Sequence, residues 1–228
     1  MMDDAALPTR RRGFLGRLAA GLVGLGVTTT LPLQLDAAPR DLLLTPSPDI
    51  ERWPDGLKGK HRQLFDAVSP NDGFSFIFAH IFLMTNADAS KIPEHDLNAV
   101  VVLRHAAATL AFTDPVWAKY KLGEAVNVKD PTTHAPAERN PFYHPADGAL
   151  PFPDASIDKL QARGVMLGVC NVALTHLSAQ RASTAGVTPQ QAREEWVAAL
   201  IPGITLLPSG VWGVNRAQEK GCTYCYAG

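Results

Sequence analysis

Polar or reactive side chains follow each of three short apolar runs, which span residues 97–103, 165–169 and 204–207. Because these runs lack polar alternation, each predicts a strand buried on both faces, as in a parallel sheet. The carboxyl ends of parallel strands meet at one edge of the sheet, and ligands bind beyond that edge. The side chains and turns expected there are Arg104, His105, Cys170, Asn171, Ser209 and Gly210.

Cys170 is the residue of this group best suited to act as a nucleophile. It ends a predicted strand and precedes a predicted helix, whose free N–H groups and positive dipole end stabilise a thiolate. His105 can serve as its base or hydrogen-bond partner, and Ser209 with the amides near Gly210 can hold an anion. Plainer roles stay open: a packed cysteine, a hydrogen-bonded histidine, and a helix cap with a tight turn.

The other two cysteines, Cys222 and Cys225, have a spacing that suits a redox pair or part of a metal site. They fall on a predicted terminal strand, where residues three apart point to opposite faces, so no bond between them is expected. Cys222 and Cys170 fall at opposite edges of the predicted sheet, which disfavours that pairing too. We predict no metal and no cofactor. A metal or haem site completed by His134 and His144 stays an alternative.

The remaining pattern alternates strands and helices. Residues 74–86 are apolar and too long for a typical strand, so they predict a buried helix. Residues 188–191 (TPQQ) are typical of a helix start with a capping box. Residues 121–154 contain six prolines and predict a long irregular loop. Loops of this length are usually functional or disordered. Together the elements predict an α/β fold, with a mostly parallel sheet between two layers of helices.

The composition of the chain limits the classes of partner that it can bind. The chain has 228 residues, a formal net charge of -1 and three cysteines. The absence of a basic stripe with interleaved aromatic residues argues against a nucleic-acid partner. Three cysteines are too few for a disulfide scaffold. Beyond the first forty residues there is no long apolar run, so we expect no stable membrane span after cleavage of the N-terminal segment.

The N-terminal segment is predicted to be an export signal. Residues 11–15 (RRGFL) precede a moderately apolar run over residues 18–33, and small residues follow at Ala37 and Ala38. This layout resembles a twin-arginine signal, which a receptor reads as an address. We therefore predict a signal over residues 1–37, an extended arm over 38–59 and a single domain over 60–228. The predicted location is the periplasm or another extracytoplasmic space.

Several segments of the predicted domain resemble one known family. These segments are GKHRQLFD (59–66), VVVLRHA (100–106), GVMLGVCN (164–171) and, most distinctively, LPSGVW (207–212) with RAQEKG (216–221). They resemble the exported, twin-arginine branch of the DsrE/DsrF-like family of sulfur-relay proteins. The resemblance implies a three-layer, flavodoxin-like fold and a homo-oligomer, either a trimer or a hexamer. Some family members carry persulfide sulfur on a cysteine at a strand end, a position that Cys170 fits.

These observations predict an exported carrier, at most sulfurtransferase-like, that binds or relays sulfane sulfur, another small anion or a thiol at Cys170. The residues expected to position the charged species are Arg104, His105, Asn171 and Ser209. One alternative is a non-enzymatic oligomeric binding module that uses residues 121–154 as its recognition surface. A further alternative is metal or haem binding through Cys222, Cys225 and the loop histidines.

Overall fold

The structure is a computed structural model that describes residues 49–228. The predicted export signal over residues 1–37 lies outside the described residues, as does the first part of the predicted arm. In the described part of the chain, no helix has both the length and the apolar character needed to cross a bilayer.

The sheet is parallel throughout, and its strand order is β4-β3-β2-β1-β5. Its strands are β1 (His61–Ala67), β2 (Leu97–Leu103), β3 (Met166–Cys170), β4 (Ile204–Leu207) and β5 (Thr223–Tyr226). The chain places β1 to β4 side by side and then crosses back to place β5 beside β1. All carboxyl ends therefore meet at one edge, which confirms the predicted parallel arrangement.

Helices surround the sheet on both faces. Within residues 49–228 the α-helices are α1 (Phe74–Asp88), α2 (Asp114–Tyr120), α3 (Leu122–Ala125), α4 (Ile157–Ala162), α5 (Asn171–Arg181), α6 (Pro189–Ala198) and α7 (Gly210–Glu219). The shorter 3-10 helices are Ile50–Gly56, Asn71–Gly73, Glu94–Asp96, His105–Ala111, Pro153–Ala155 and Ala182–Ala185. The predicted capping box is present, because Thr188 and Gln191 bond each other's backbone.

Two apolar clusters define the layers. The larger cluster lies between one face of the sheet and helices α1 to α6. The smaller cluster lies on the other face, where α7 and the Ile50–Gly56 helix contribute Ala217 and Ile50. This arrangement confirms the predicted α/β fold with a parallel sheet flanked by helices, and it is consistent with a flavodoxin-like fold. Counted from the β5 edge the order is 5-1-2-3-4, whereas flavodoxin itself has 2-1-3-4-5.

The segment that follows β2 differs from its prediction. The alanine-rich residues 106–120 predict a helix broken at Asp114, and the break is present. Before it, however, the chain forms the His105–Ala111 3-10 helix, which starts with His105 at φ +48°. This segment is buried from Ala107 to Phe112. Tertiary packing of its small side chains therefore outweighs their intrinsic preference for an α-helix.

The predicted arm and loop are both more structured than their composition indicates. Residues 50–56 form a 3-10 helix rather than an extended arm, because Ile50 and the adjoining Leu57 bury their side chains in the smaller cluster. The loop over residues 121–154 is anchored by buried Asn140. The Asn140 amide donates to the carbonyl oxygens of Leu110 and Phe112, and its side-chain oxygen accepts the N–H of Phe142.

Candidate functional site

A buried carboxylate lies at the carboxyl end of β1. Asp66 is 2% exposed and accepts hydrogen bonds from Arg104 Nε at 2.6 Å and Arg104 Nη2 at 2.8 Å. The hydroxyl of Tyr224 donates a third bond to Asp66 at 2.8 Å. Arg104 directly follows β2 and Tyr224 lies on β5, so residues from three neighbouring strands meet here. A buried carboxylate needs hydrogen-bond donors and a compensating positive charge. Asp66 has three such hydrogen bonds, and Arg104 supplies the positive charge.

The protonation states of this cluster follow from its contacts. The hydrogen bonds to Asp66 raise the pKa of Arg104, partial burial opposes this increase, and the charge of Asp66 adds to it. Partial burial, followed by the bond to Asp66, raises the pKa of Tyr224. Tyr224 is therefore a neutral phenol that donates to a carboxylate, and Arg104 is a fixed cation.

Cys170 lies on the same face of the sheet as this cluster. Its register partner Leu207 belongs to the smaller core cluster, as does Val102, the register partner of Asp66. Since paired residues of adjacent strands project to the same side, the side chains of Cys170 and Asp66 both face the α7 layer. Cys170 is also buried, at 7% exposure.

The thiol of Cys170 caps helix α5. Its Sγ accepts the backbone N–H of Ala173 at 3.3 Å, in the first turn of the eleven-residue helix. A sulfur atom at this position lies beside the free N–H groups at the start of the helix and the positive end of its dipole. None of the chain's three cysteines forms a disulfide.

The start of α7 packs directly against Arg104. A Cβ atom added to Gly210 would lie 2.5 Å from Arg104 Cβ, so the contact requires glycine. Ser209 caps the helix, because its Oγ accepts the N–H of Trp212 at 3.1 Å. The structure therefore gives Ser209 a capping role and places Gly210 beside the predicted cation.

Asn171 is buried beside Cys170 and is held from α6. Its side-chain oxygen accepts a bond from Arg193 Nη2 at 3.0 Å, and Arg193 Nε donates to Thr175 Oγ1 at 3.1 Å. The Asn171 amide is thus a structural link between α5 and α6.

His105 does not complete a cysteine–histidine pair in this structure. Its side chain is exposed, and within residues 49–228 no hydrogen bond joins it to Cys170. Its left-handed backbone marks the sharp turn that follows Arg104. The predicted sheet edge therefore brings Cys170, Arg104 and Gly210 together in one region, which is called the corner below and also contains Asp66. His105 lies at the surface.

Three residues that take part in these hydrogen bonds were not predicted: Asp66, Tyr224 and Arg193. Asp66 offered a signal, because an acid inside the otherwise apolar end of a buried strand needs a cation. Tyr224 offered none, since nothing in the sequence shows that the last strand pairs with the first. Arg193 lies on a helix with other charged residues and resembles a solvated side chain.

The Cys222 and Cys225 pair does not converge. Cys222 belongs to the smaller core cluster, whereas Cys225 packs against the larger cluster on the other face of the sheet. Burial raises the pKa of Cys222 to about 11 and also raises the pKa of Cys225. Among residues 49–228, no group of three or more histidine, cysteine, aspartate or glutamate side chains is arranged to hold a metal ion.

Comparisons of this chain with protein-family models, with curated proteins and with solved structures found no match. The function of the corner formed by Cys170, Arg104 and Asp66 therefore has to follow from its own geometry and chemistry.

Proposed function

We propose that the protein is an exported, DsrE/DsrF-like carrier that holds sulfane sulfur on Cys170. The observation that carries the proposal is the position of the thiol. Cys170 ends a strand at the ligand-binding edge of a parallel sheet, and its Sγ accepts a backbone N–H at the start of α5. The first feature places the sulfur atom where ligands bind in such sheets, and the second places it at the positive end of a helix.

The proposed step is a transfer of one sulfur atom to the thiolate of Cys170. The thiolate attacks the outer sulfur of a persulfide, R–S–S⁻, and forms a new S–S bond. The donor's own S–S bond breaks, and the donor leaves as the thiolate R–S⁻. Thiosulfate reacts in the same way and leaves as sulfite. No electrons are gained or lost overall, so the step needs no oxidant and no cofactor.

Arg104 stabilises the negative charge of the carrier. A guanidinium has five N–H donors, of which Asp66 engages two in the described structure. Arg104 interacts electrostatically with Cys170 and packs against Gly210, so this scheme assigns its remaining donors to a persulfide on Cys170. Asp66 and Tyr224 are positioning residues in this scheme, because they hold the guanidinium and do not contact the sulfur.

A general base is not required for the attack. The helix start and Arg104 can hold a negatively charged sulfur species, so the exposed position of His105 is compatible with the proposal. In this proposal His105 has no part in the attack, and its exposed side chain can only contact an anionic donor that approaches from solvent.

The test is mass spectrometry of the protein after incubation with thiosulfate or inorganic polysulfide. We expect a gain of one sulfur atom on the peptide that contains Cys170, reversed by a reducing agent. The Cys170→Ser variant should lose the gain, while the matched Cys225→Ser and Cys222→Ser variants keep it. An unmodified Cys170 with both donors overturns the proposal, as does an equal gain in Cys170→Ser.

A second candidate function is a binding module without cysteine chemistry. Two surface concavities along residues 121–154 favour it, and His144, Pro145 and Ala146 line both. In that case Cys170→Ala keeps partner binding, whereas Asn140→Ala, which releases the loop from Leu110 and Phe112, weakens it. The two variants therefore separate the candidates in one binding assay.

A further inference from the structure

Helix α1 is largely apolar, and Thr85 and Asn86 are the polar side chains at its surface before Asp88. No charged residue occurs between Phe74 and Ala87, and the one titratable side chain, His80, is buried. A helix at the surface of a globular protein normally has a polar outer face, and a helix that is apolar all round is normally enclosed on all sides. The sheet covers one side of α1, and α4 and the Pro153–Ala155 helix also contact α1.

The outer side of α1 carries a regular stripe. Phe74 is 41% and Met84 is 37% exposed, and Ile77 and Ile81 between them are half-buried. Within residues 49–228, none of the four belongs to either core cluster or packs against one as a partly buried neighbour. Their spacing of three, four and three residues is the a/d pattern of a helix that pairs with another helix.

The charges at the ends of α1 favour an antiparallel partner helix. Asp88 lies in the last turn, at the negative end of the helix dipole, where an acid is unfavourable. At the other end, the N-cap residue is Gly73, which has no side chain to accept the first N–H groups. In an antiparallel pair, Asp88 of each helix lies near the uncapped, positive end of the other helix. The pairing therefore places the negative charge of Asp88 beside a positive helix end and gives the uncapped N–H groups an anionic neighbour.

We propose that α1 is a dimerisation surface, which pairs with α1 of a second copy of this chain about a two-fold axis. The axis passes between Ile77 and Ile81. Ile77 then faces Ile81 of the partner subunit, and Phe74 faces Met84 of the partner subunit, where a sulfur–aromatic contact forms. This surface is independent of Cys170 and of the proposed sulfur chemistry.

A second copy fits this stripe better than a lipid surface does. Helices that lie on membranes carry lysine and arginine beside their apolar face, and α1 carries none. A stripe with matched ends is also complementary to itself under a two-fold rotation, which is the requirement for an isologous interface. A two-fold contact builds dimers, or hexamers when it is combined with a three-fold contact, but it does not build a simple trimer.

The first test is sedimentation of the purified full-length chain at micromolar concentration. We expect the wild type to contain the two-fold contact, as a dimer or a hexamer. Ile81→Glu and Ile77→Glu should weaken association ~100-fold or more, because each places an unpaired charge in the apolar seam. Val211→Glu is the matched control, because Val211 is 66% exposed on α7, on the other face of the sheet. Circular dichroism reports whether each variant is folded.

The second test is disulfide cross-linking between copies. The double variant Phe74→Cys with Met84→Cys should form covalent dimers on oxidation, above the background of the unmodified chain. Phe74→Cys alone should not, because the antiparallel arrangement keeps the two copies of position 74 apart. If the glutamate variants at 77 and 81 fail to fold, Phe74→Glu at its exposed position replaces them.

A monomeric wild type overturns the proposal, as does an oligomer that survives the glutamate substitutions. A trimer without dimer or hexamer, or cross-linking by Phe74→Cys alone, excludes the two-fold antiparallel pairing. A monomer that binds phosphatidylcholine vesicles through this stripe assigns α1 to a lipid surface instead.

Discussion

Arg104 donates two parallel hydrogen bonds, at 2.6 and 2.8 Å, to the two carboxylate oxygens of Asp66. The side chain of Asp66 is 2% exposed and that of Arg104 is 22% exposed. This pair joins the ends of β1 and β2 beneath the start of α7. A bidentate pair of this kind fixes the orientation of the guanidinium as well as its position.

Asp66→Asn should destabilise the protein, because it leaves the Arg104 charge partly buried without its counter-charge. We expect the free energy of unfolding in urea to fall by about 3 kcal/mol. The matched control is Lys159→Gln, which breaks the exposed ion pair with Asp154 and should leave the unfolding free energy unchanged. An equal decrease in the free energy of unfolding in the two variants would show that the buried pair stabilises the protein no more than an exposed pair does.

Asn140→Ala should release the loop over residues 121–154. The substitution removes three buried hydrogen bonds, to Leu110, Phe112 and Phe142, and should cost about 3 kcal/mol of unfolding free energy. Amide hydrogen exchange should rise within the loop more than in the sheet. Asp130→Ala, which opens an exposed turn of the same loop, provides the comparison and should produce a much smaller change.

The stability of the protein should fall as the pH is lowered below about 6.5, the ordinary pKa of histidine. Burial, followed by the nearby charge of Arg163, lowers the pKa of His80 in the folded protein, although Asp154 partly offsets the effect. The unfolded chain therefore binds the proton more readily, and stability declines as the pH falls from that value through the lowered pKa. Thermal melts between pH 7 and pH 5 measure the slope.

The His80→Gln variant should flatten this slope. Arg163→Gln should reduce it in part, because the cation that opposes protonation is removed. An unchanged slope in both variants would assign the acid sensitivity to other groups.

The two C-terminal cysteines should differ in their reaction with iodoacetamide. Cys222 is buried and its pKa is raised to about 11, so at pH 8 it should stay unmodified in the native protein. Cys225 is more exposed, although burial raises its pKa as well, so it should react first. Peptide mass spectrometry over a time course distinguishes them, and denatured protein is the control in which both react. Fast modification of Cys222 in the native protein would contradict its burial and its raised pKa.

The sequence was sufficient to predict the elements whose signals are local. The β-branched run of β2 spans residues 97–103 in both the prediction and the structure, because a buried parallel strand has a recognisable composition. The helix start at Thr188 was also predictable, because a capping box uses residues three apart.

The parts that could not be predicted depend on distant contacts. Asp66 and Tyr224 are 158 residues apart, and no local pattern shows that β5 pairs with β1. The same limitation explains why His105 appeared to be a partner for Cys170. Cys170 ends β3 and His105 lies two residues beyond the end of β2, but the left-handed turn at His105 moves its side chain to the surface. The ends of predicted strands indicate which residues lie at the same edge of the sheet. The directions of their side chains can be seen only in the structure.

The dependence of the corner on β5 has a consequence for folding. β5 has four residues, is hydrogen-bonded to β1 only and occupies an edge of the sheet. The bond from Tyr224 to Asp66 closes a loop of 158 residues, and contacts across such separations form slowly because the chain entropy is lost first. Edge strands with few neighbours are also the first to open in the native state. We therefore expect the environment of Arg104 to form late during folding and to open before the rest of the domain unfolds.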